Sequence, residues 1–215
     1  MLRGEFESML LVHSVVPGHA VKPVGWGACS SRPDHYFYIS EFHNLSTEQP
    51  DITAFCSMAA QLHTVSADLF ERDGVRPKPG GRFGFHLVTH MGKFPQDNSW
   101  ADSWETLYTR GMHRIFSYET AAQGRSEELD SLTVDLLGKV IPRLLRPLET
   151  CGERIRPSLL HGDLQIRNVK TDKDDLKPIF FDAGSFWGHN ECESSLPDLR
   201  RYPEKVEASM SWDRG

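Results

Sequence analysis

The sequence lacks the patterns that identify several common classes of protein. Its four cysteines are far apart and include no C-x-x-C pair, so neither a zinc knuckle nor a disulfide framework is predicted. No apolar run approaches the roughly 20 residues of a membrane span, and the N-terminus has no signal-peptide pattern. The net charge of −6 argues against a surface for nucleic acid or for an acidic membrane. We therefore expect a cytoplasmic protein with reduced thiols, no nucleic-acid partner and no membrane partner.

The most informative segment is His161-Gly-Asp-Leu-Gln-Ile-Arg-Asn168, which is followed after a charged turn by Phe181-Asp-Ala-Gly184. This order resembles that of protein kinases, where a catalytic-loop Asp orients and deprotonates the attacking hydroxyl, and an Asn and a D-x-G Asp hold Mg²⁺. Phosphoryl transfer requires an in-line nucleophile and cations against the phosphate charge, so three such side chains on two adjacent turns are sufficient. The alternative is a surface hairpin with incidental acidic residues. The two motifs together favour phosphoryl transfer by Asp163, Asn168 and Asp182.

Apolar periodicity predicts a mixture of helices and short strands. Helices are predicted for residues 2–13, for residues 51–63 with Asp51 as N-cap, and from about Ser126, with a kink or break at Pro142. Strands are predicted at residues 21–28 and 35–41, and on either side of the 171–175 turn. One more helical face is predicted for Trp100, Trp104, Leu107, Gly111 and Ile115.

Over residues 3–193 the chain resembles the fructosamine/ribulosamine 3-kinase family. The matching landmarks are Gly4–Met9, Pro23–Gly27, Ser40–His43, Leu62–His63, Arg82–His86, Gln96–Trp100 with Trp104, Ile141–Leu145, His161–Asp163 and Asp182–Glu191. The resemblance implies a protein-kinase-like α+β fold, with an N-lobe remnant (helix plus two-stranded hairpin, residues 1–45) and a mostly helical C-lobe (residues 46–215). It also implies phosphorylation by Mg²⁺-ATP of the sugar 3-hydroxyl of ketosamines, on glycated small amines or glycated protein lysines, leading to deglycation.

The resemblance also assigns roles to particular residues. Asp163 corresponds to the catalytic base, and Asn168 and Asp182 to the Mg²⁺ ligands. Glu5 stands where the family has the helix glutamate that pairs with the ATP-binding lysine. Glu7, one more acid on the exposed face of the same helix, is the alternative for that role.

The resemblance also assigns residues to the hinge that binds ATP and to the site beside the substrate's sugar. The hinge, whose backbone would bind adenine, corresponds to Glu41, Phe42 and His43. Substrate candidates are Phe85, His86, Trp100 and Trp104. Core packing is the alternative for both tryptophans, and His63 is interpreted as an interior histidine rather than a ligand. His189 and Glu191 would either orient Asp182 or cap the next helix.

Two departures from the family pattern bear on activity. The chain begins at the glutamate helix, so the strands with the Gly-rich loop and the ATP-pairing lysine are absent from it. Lys22 and Lys93 do not lie on such a strand. After Glu193 the family pattern ends, so the chain is expected to be a truncated form with impaired or absent activity. Two alternatives stay open: a non-catalytic pseudokinase-like remnant, and a kinase of another small alcohol such as choline or an aminoglycoside. The oligomeric state is not predicted.

Overall fold

The computed structural model describes residues 1–72, 82–150 and 155–194, and it begins with the predicted helix and hairpin. Helix α1 is Leu2–Val15, and it is followed by the antiparallel strands β1 (Pro23–Cys29) and β2 (Arg32–Ser40). Within the described residues this sheet has two strands only. The predicted elements are therefore confirmed, although the predicted boundary at residue 45 between two lobes stays a prediction.

Helix α2 (Ile52–Arg72) forms as predicted but continues beyond His63 to Arg72. Asp51 acts as the predicted N-cap, because its side chain accepts a hydrogen bond of 2.9 Å from the backbone N–H of Ala54. Phe55 and Leu62 are fully buried on the inner face of this helix. The main core therefore contains α2 together with α1 and the strands around the catalytic motifs.

A small hairpin that the sequence analysis missed comes next. Strands β3 (His90–Met91) and β4 (Phe94–Pro95) pair in antiparallel fashion across a two-residue turn. Each strand is only two residues long, which is too short for a period-two pattern of hydrophobicity to be visible in the sequence.

Helix α3 (Trp104–Gln123) starts later than its predicted apolar face. Ser103 is its N-cap, and its hydroxyl accepts a hydrogen bond of 3.1 Å from the N–H of Thr106. The inclusion of Trp100 in this helix was wrong. Trp100 lies in an extended segment, since the neighbouring Ala101 N–H is bonded to the carbonyl of Phe83 at 2.7 Å.

The helix predicted from Ser126 is divided as expected near Pro142. Helix α4 is Glu127–Asp135, a π-helical turn covers Leu136–Val140, and helix α5 is Ile141–Thr150. Proline has no N–H to donate to the preceding turn, which accounts for the break in α-helical hydrogen bonding before it. Much of the apolar face of α4 and α5 is exposed within the described residues.

The catalytic motifs lie on two short antiparallel pairs of strands. Strand β5 (Ser158–Leu160) pairs with β8 (Phe186–Gly188), and β6 (Val169–Thr171) pairs with β7 (Pro178–Phe180), with a short 3₁₀ turn before β6. The last described element is α6 (Glu191–Ser194). The predicted strands on either side of the 171–175 turn are confirmed. No helix among the described residues is long and apolar enough to cross a membrane.

Candidate active site

The loop between β5 and β6 lies directly against the D-x-G loop after β7. Gly162 has a φ of +86, and a Cβ at this position would overlap the carbonyl group of Gly184. The N–H of Gly184 also donates to the carbonyl of His161 at 2.9 Å. Only glycine allows this close approach of two backbones, which brings the two motifs together.

His161 fixes the loop from its buried side. Burial lowers the pKa of His161 in spite of the nearby carboxylates, so the imidazole is neutral. Its Nε2 lies 3.1 Å from the carbonyl of Phe181, and its Nδ1 accepts from the N–H of Asp163 at 3.4 Å. The neutral tautomer with the proton on Nε2 satisfies both contacts.

Both oxygens of the Asp163 carboxylate are held by side-chain amides. Asn168 Nδ2 donates to Asp163 Oδ2 at 2.9 Å and to the Asp163 carbonyl at 2.9 Å, and Gln165 Nε2 donates to Oδ1 at 2.8 Å. These bonds use the Nδ2 of Asn168, so its amide oxygen is left to act as a ligand for a cation. Asp163 and Asn168 are therefore in direct contact.

Asp182 faces the same cleft as Asp163. The cleft has a volume of about 260 Å³ and is lined by Met1, Glu5, His90, Gly92, Lys93, Asp163, Asp182 and Ala183. Asp182 has a φ of +62, a left-handed conformation that costs a non-glycine residue about 1 kcal/mol or more. The two aspartates thus line one cleft. Asn168, which the sequence analysis grouped with them, contacts Asp163 but is not among the residues that line the cleft.

The oxygen ligands near this cleft suit a hard divalent cation. Asp163 and Asp182 supply two carboxylates to the lining, and Asn168 lies next to Asp163. Carboxylate and amide oxygens are the ligands that Mg²⁺ prefers. Among the described residues, His, Cys, Asp and Glu form no group of three that could hold a metal ion. A cation here would therefore depend on Asp182 and Asn168, with its other ligands from water and phosphate oxygens.

Glu5, rather than Glu7, lies in the cleft. Burial, and then the charge of Asp182, raise the pKa of Glu5 to about 7, while the α-amino group of Met1 acts in the opposite direction. No ion-pair partner for Glu5 occurs within the described residues. On β2, burial followed by the charges of Glu5 and Asp182 raises the pKa of Tyr38 to about 12. The cleft therefore holds three acidic side chains, and the α-amino group of Met1 offsets part of their charge.

Glu193 is a positioning residue that the sequence analysis missed. Its buried carboxylate accepts hydrogen bonds at Oε2 from His63 Nε2 and the N–H of His161, each 2.9 Å long, and at Oε1 from the N–H of Gly162 at 2.7 Å. Burial acts to raise the pKa of Glu193, but the bond and charge of His63 together with the His161 contacts lower it overall. His63 is an interior histidine, as interpreted from the sequence.

The three predicted hinge residues lie outside the acidic cleft. Glu41 forms an ion pair with Lys22 at 3.2 Å, and Phe42 is 91% exposed. His43 Nδ1 lies 2.6 Å from Asp172 Oδ2. A backbone bond from Asp174, and then the bond from His43, lower the pKa of Asp172. The hinge segment is thus bonded to the turn between β6 and β7 through His43. Its role in binding adenine stays a prediction.

The four substrate candidates are not brought together at the cleft. Phe85 is buried in the main core, and Trp104 packs with Phe83 in a second, smaller cluster. His86 is exposed at 3.8 Å from Glu7 Oε2, and Trp100 is half-buried against the main core. Trp104 also borders an apolar groove of about 400 Å³ between the β3–β4 hairpin and α3. Packing accounts for Trp104 and Phe85 without a ligand.

His189 and Glu191 belong to the start of α6. The Nδ1 of His189 accepts from the N–H of Glu191 at 3.3 Å, and its carbonyl accepts from Cys192 at 2.9 Å. Of the two open interpretations, the structure supports helix capping.

The chain is similar to several known proteins. A family model described as Fructosamine kinase matches residues 1–203. The chain is 39% identical over 119 residues to a ketosamine-3-kinase of Mus musculus, a match that covers 55% of this chain and 36% of that protein. It is 29% identical over 161 residues to a chloroplastic protein-ribulosamine 3-kinase of Oryza sativa subsp. indica, covering 74% of this chain and 42% of that protein.

Solved structures show the same fold. A protein of Thermobifida fusca assigned as a fructosamine-3-kinase superposes with a TM-score of 0.65 at 18% identity, covering 100% of this chain and 67% of that chain. A thermostable mutant of an aminoglycoside phosphotransferase superposes with a TM-score of 0.54 at 14% identity, covering 96% and 72%. At these identities the likeness concerns the fold alone, and it confirms the predicted protein-kinase-like α+β fold.

Proposed function

Because the chain belongs to the fructosamine kinase family, we propose that it is an ATP-dependent kinase of ketosamines. The substrate would be the 3-hydroxyl of the sugar on a glycated small amine or a glycated protein lysine, and the reaction would serve deglycation. The observation that carries this proposal is the convergence of Asp163 and Asp182 on one cleft, with Asn168 bonded to Asp163.

In this proposal Asp163 orients the attacking hydroxyl and accepts its proton. Its carboxylate is already held by Asn168 and Gln165, so little reorganisation is needed when the substrate binds. Asn168 and Asp182 would hold Mg²⁺, which supplies positive charge against the transferring phosphoryl group. Glu193 acts indirectly, by fixing the backbone of the loop that carries Asp163.

We expect the chain to bind nucleotide weakly. Glu5, Asp163 and Asp182 place three acids around a cleft that would have to accept a polyphosphate, and Glu5 has no cation partner among the described residues. Repulsion between like charges opposes binding, and Mg²⁺ offsets only part of it.

The test is ketosamine-dependent ATP turnover by the 215-residue chain, with a fructosamine and a ribulosamine as acceptors. Asp163→Asn should lower kcat by at least about 100-fold, because general-base catalysis contributes that much. Asp34→Asn, on the exposed strand β2, is the matched control and should retain activity. Turnover that is unchanged in the Asp163 variant would disprove the assigned role.

A second candidate function is non-catalytic binding of a glycated amine. The specific observation in its favour is the lack of a cation partner for Glu5 within the described part of the chain. Binding of a fructosamine without any phosphorylation, in the presence of Mg²⁺-ATP, would favour this function over the kinase. A kinase of choline or an aminoglycoside is the third possibility, and turnover with those acceptors in preference to ketosamines would support it.

A further inference from the structure

The turn of the β3–β4 hairpin places a lysine against the acidic cleft. Gly92 has a φ of +57, which turns the chain sharply between the two short strands. The next residue, Lys93, lies on the lining of the cleft together with Glu5, Asp163 and Asp182. Among the described residues, Lys93 is the only lysine or arginine on that lining.

The hairpin is held firmly against the D-x-G loop. Gln96 Nε2 donates to the carbonyl of Gly184 at 3.1 Å, and a Cβ at Gly184 would overlap the carbonyl of His90. On its other side the segment before β3 packs on α1, since a Cβ at Gly4 would come within 2.7 Å of the Val88 carbonyl oxygen. The base of the hairpin is therefore fixed relative to both Glu5 and Asp182.

The ammonium group of Lys93 is available to a ligand. It lies 5.3 Å from the centre of the Phe94 ring, and no ion pair with a carboxylate occurs within the described residues. A cation–π contact at an exposed site is weak, and the long lysine side chain can leave it readily.

The other basic side chain on the lining cannot supply a charge. Burial, and then the α-amino group of Met1, lower the pKa of His90, so its imidazole is neutral near pH 7. Its buried Nδ1 has no hydrogen-bond partner in the described part of the protein. The contribution of positive charge from side chains therefore falls to Lys93.

We propose that Lys93 binds the phosphate groups of the nucleotide in this cleft. The assignment rests on the proposed kinase function and adds a residue to it. A primary ammonium has three donors and a compact charge, which suits it to phosphate oxygens in several orientations. Lys93 then offsets the repulsion between the phosphates and the three acids, and it does so from the hairpin rather than from the sheet of β1 and β2.

The experiment measures Mg²⁺-ATP affinity of the 215-residue chain by isothermal titration calorimetry. Lys93→Met should weaken binding roughly 5- to 20-fold at low ionic strength, as expected for loss of one charge-assisted contact at an exposed site. Lys93→Arg keeps the positive charge and should stay within about threefold of the wild type. Lys139→Met is the matched control, because Lys139 is exposed and pairs with Asp135 at 2.7 Å, outside the cleft.

The salt dependence separates a charge effect from a structural one. The difference between wild type and Lys93→Met should shrink in roughly 0.5 M NaCl, where exposed charges are screened. If the wild type binds Mg²⁺-ATP and Lys93→Met binds it as tightly as the wild type in each buffer, the assignment of Lys93 is wrong and the kinase proposal stands. If the wild-type chain does not bind Mg²⁺-ATP, both the kinase proposal and this assignment fail.

Discussion

At the scale of single residues, the contact between the two catalytic loops depends on Gly162. We predict that Gly162→Ala abolishes nucleotide-dependent activity and lowers the free energy of unfolding by at least about 2 kcal/mol, because a Cβ would overlap Gly184 and the φ of +86 disfavours alanine. Urea unfolding and the turnover assay measure the two effects.

The matched control for this substitution is Gly111→Ala in α3. A Cβ at Gly111 meets no atom within 4 Å, and alanine is the better helix former. This variant should be stabilised by about 0.5–1 kcal/mol. Equal effects of the two substitutions would show that the close approach of the loops does not matter.

Glu5 predicts a pH dependence of stability with a definite sign. Its folded-state pKa of about 7 lies above the usual glutamate value of 4.5, so the folded state binds the proton more tightly than the unfolded state. Ionisation of Glu5 therefore costs stability as the pH rises from about 4.5 to 7. We predict that Glu5→Gln raises Tm at pH 8 and leaves it nearly unchanged at pH 4.

The control for Glu5 is Glu7→Gln, which removes the same charge from the same helix outside the cleft. Its effect on Tm at pH 8 should be smaller. A Tm difference for Glu5→Gln that is the same at both pH values would contradict the assignment of a raised pKa.

The residues of the site could be predicted only in part. Asp163, Asn168 and Asp182 lie within one short segment with a fixed spacing, so their proximity follows from local sequence. Lys93 was set aside because it lies on no strand before Glu5, although the hairpin brings it to the cleft from another direction. Glu193 was missed as well, since its partner His63 is 130 residues away.

At the scale of elements, we expect the β1–β2 hairpin to be the least stable part of the described fold. Its sheet has two strands within the described residues, and side chains on it such as Ile39 (50%) and Phe37 (40%) are exposed. A two-stranded sheet with open edges is marginal in water. We predict that amides of residues 1–45 exchange hydrogen at least roughly tenfold faster than those of residues 129–182, or that the chain self-associates through this hairpin.

Hydrogen exchange at several protein concentrations, together with sedimentation velocity, distinguishes these outcomes. Ile39→Lys introduces a charge on the exposed strand and should reduce self-association without changing the core. Equal protection of both regions in a monomer would show that the prediction is wrong.

The helices show which local signals are reliable. Asp51 was predicted as an N-cap, and a second helix was predicted to start at about Ser126 from its apolar repeat. Both side chains accept a hydrogen bond from the helix that follows. For α3 the repeat appeared to begin at Trp100, but Ser103 caps the helix and Ala101 is bonded to Phe83. That contact is tertiary, so the hydrophobic pattern alone extended the helix too far.

At the scale of the whole molecule, Glu193 connects three segments that are distant in sequence. Glu193 lies on α6, and its carboxylate accepts hydrogen bonds from His63 on α2 and from the loop at His161 and Gly162. These groups are buried or nearly so, which means that removing the Glu193 carboxylate takes a hydrogen-bond acceptor from the N–H groups of His161 and Gly162 in a low-dielectric environment. The position of the catalytic loop therefore depends on α2 and α6 together.

We predict that Glu193→Gln lowers the free energy of unfolding at pH 7 by about 3 kcal/mol. The NH₂ group of the amide would face N–H groups whose hydrogen bonds the carboxylate oxygens now accept. Glu128→Gln, on the exposed face of α4, should change it by less than about 0.5 kcal/mol. The double variant with His63→Gln should show a coupling of at least about 1 kcal/mol, since the two side chains are in direct contact.

The pH dependence of stability gives an independent test of whether the ionised Glu193 carboxylate holds these segments together. The folded-state pKa of Glu193 is lowered from the usual glutamate value of 4.5, so its contribution to stability is present above that value and is lost as the pH falls through the folded-state pKa. The stability difference between wild type and Glu193→Gln should therefore be full at pH 7 and decrease below about pH 4.5. Urea unfolding at pH 7, 5 and 4 measures this decrease. A difference that stays constant down to the acid transition would show that the ionised carboxylate does not hold the three segments together.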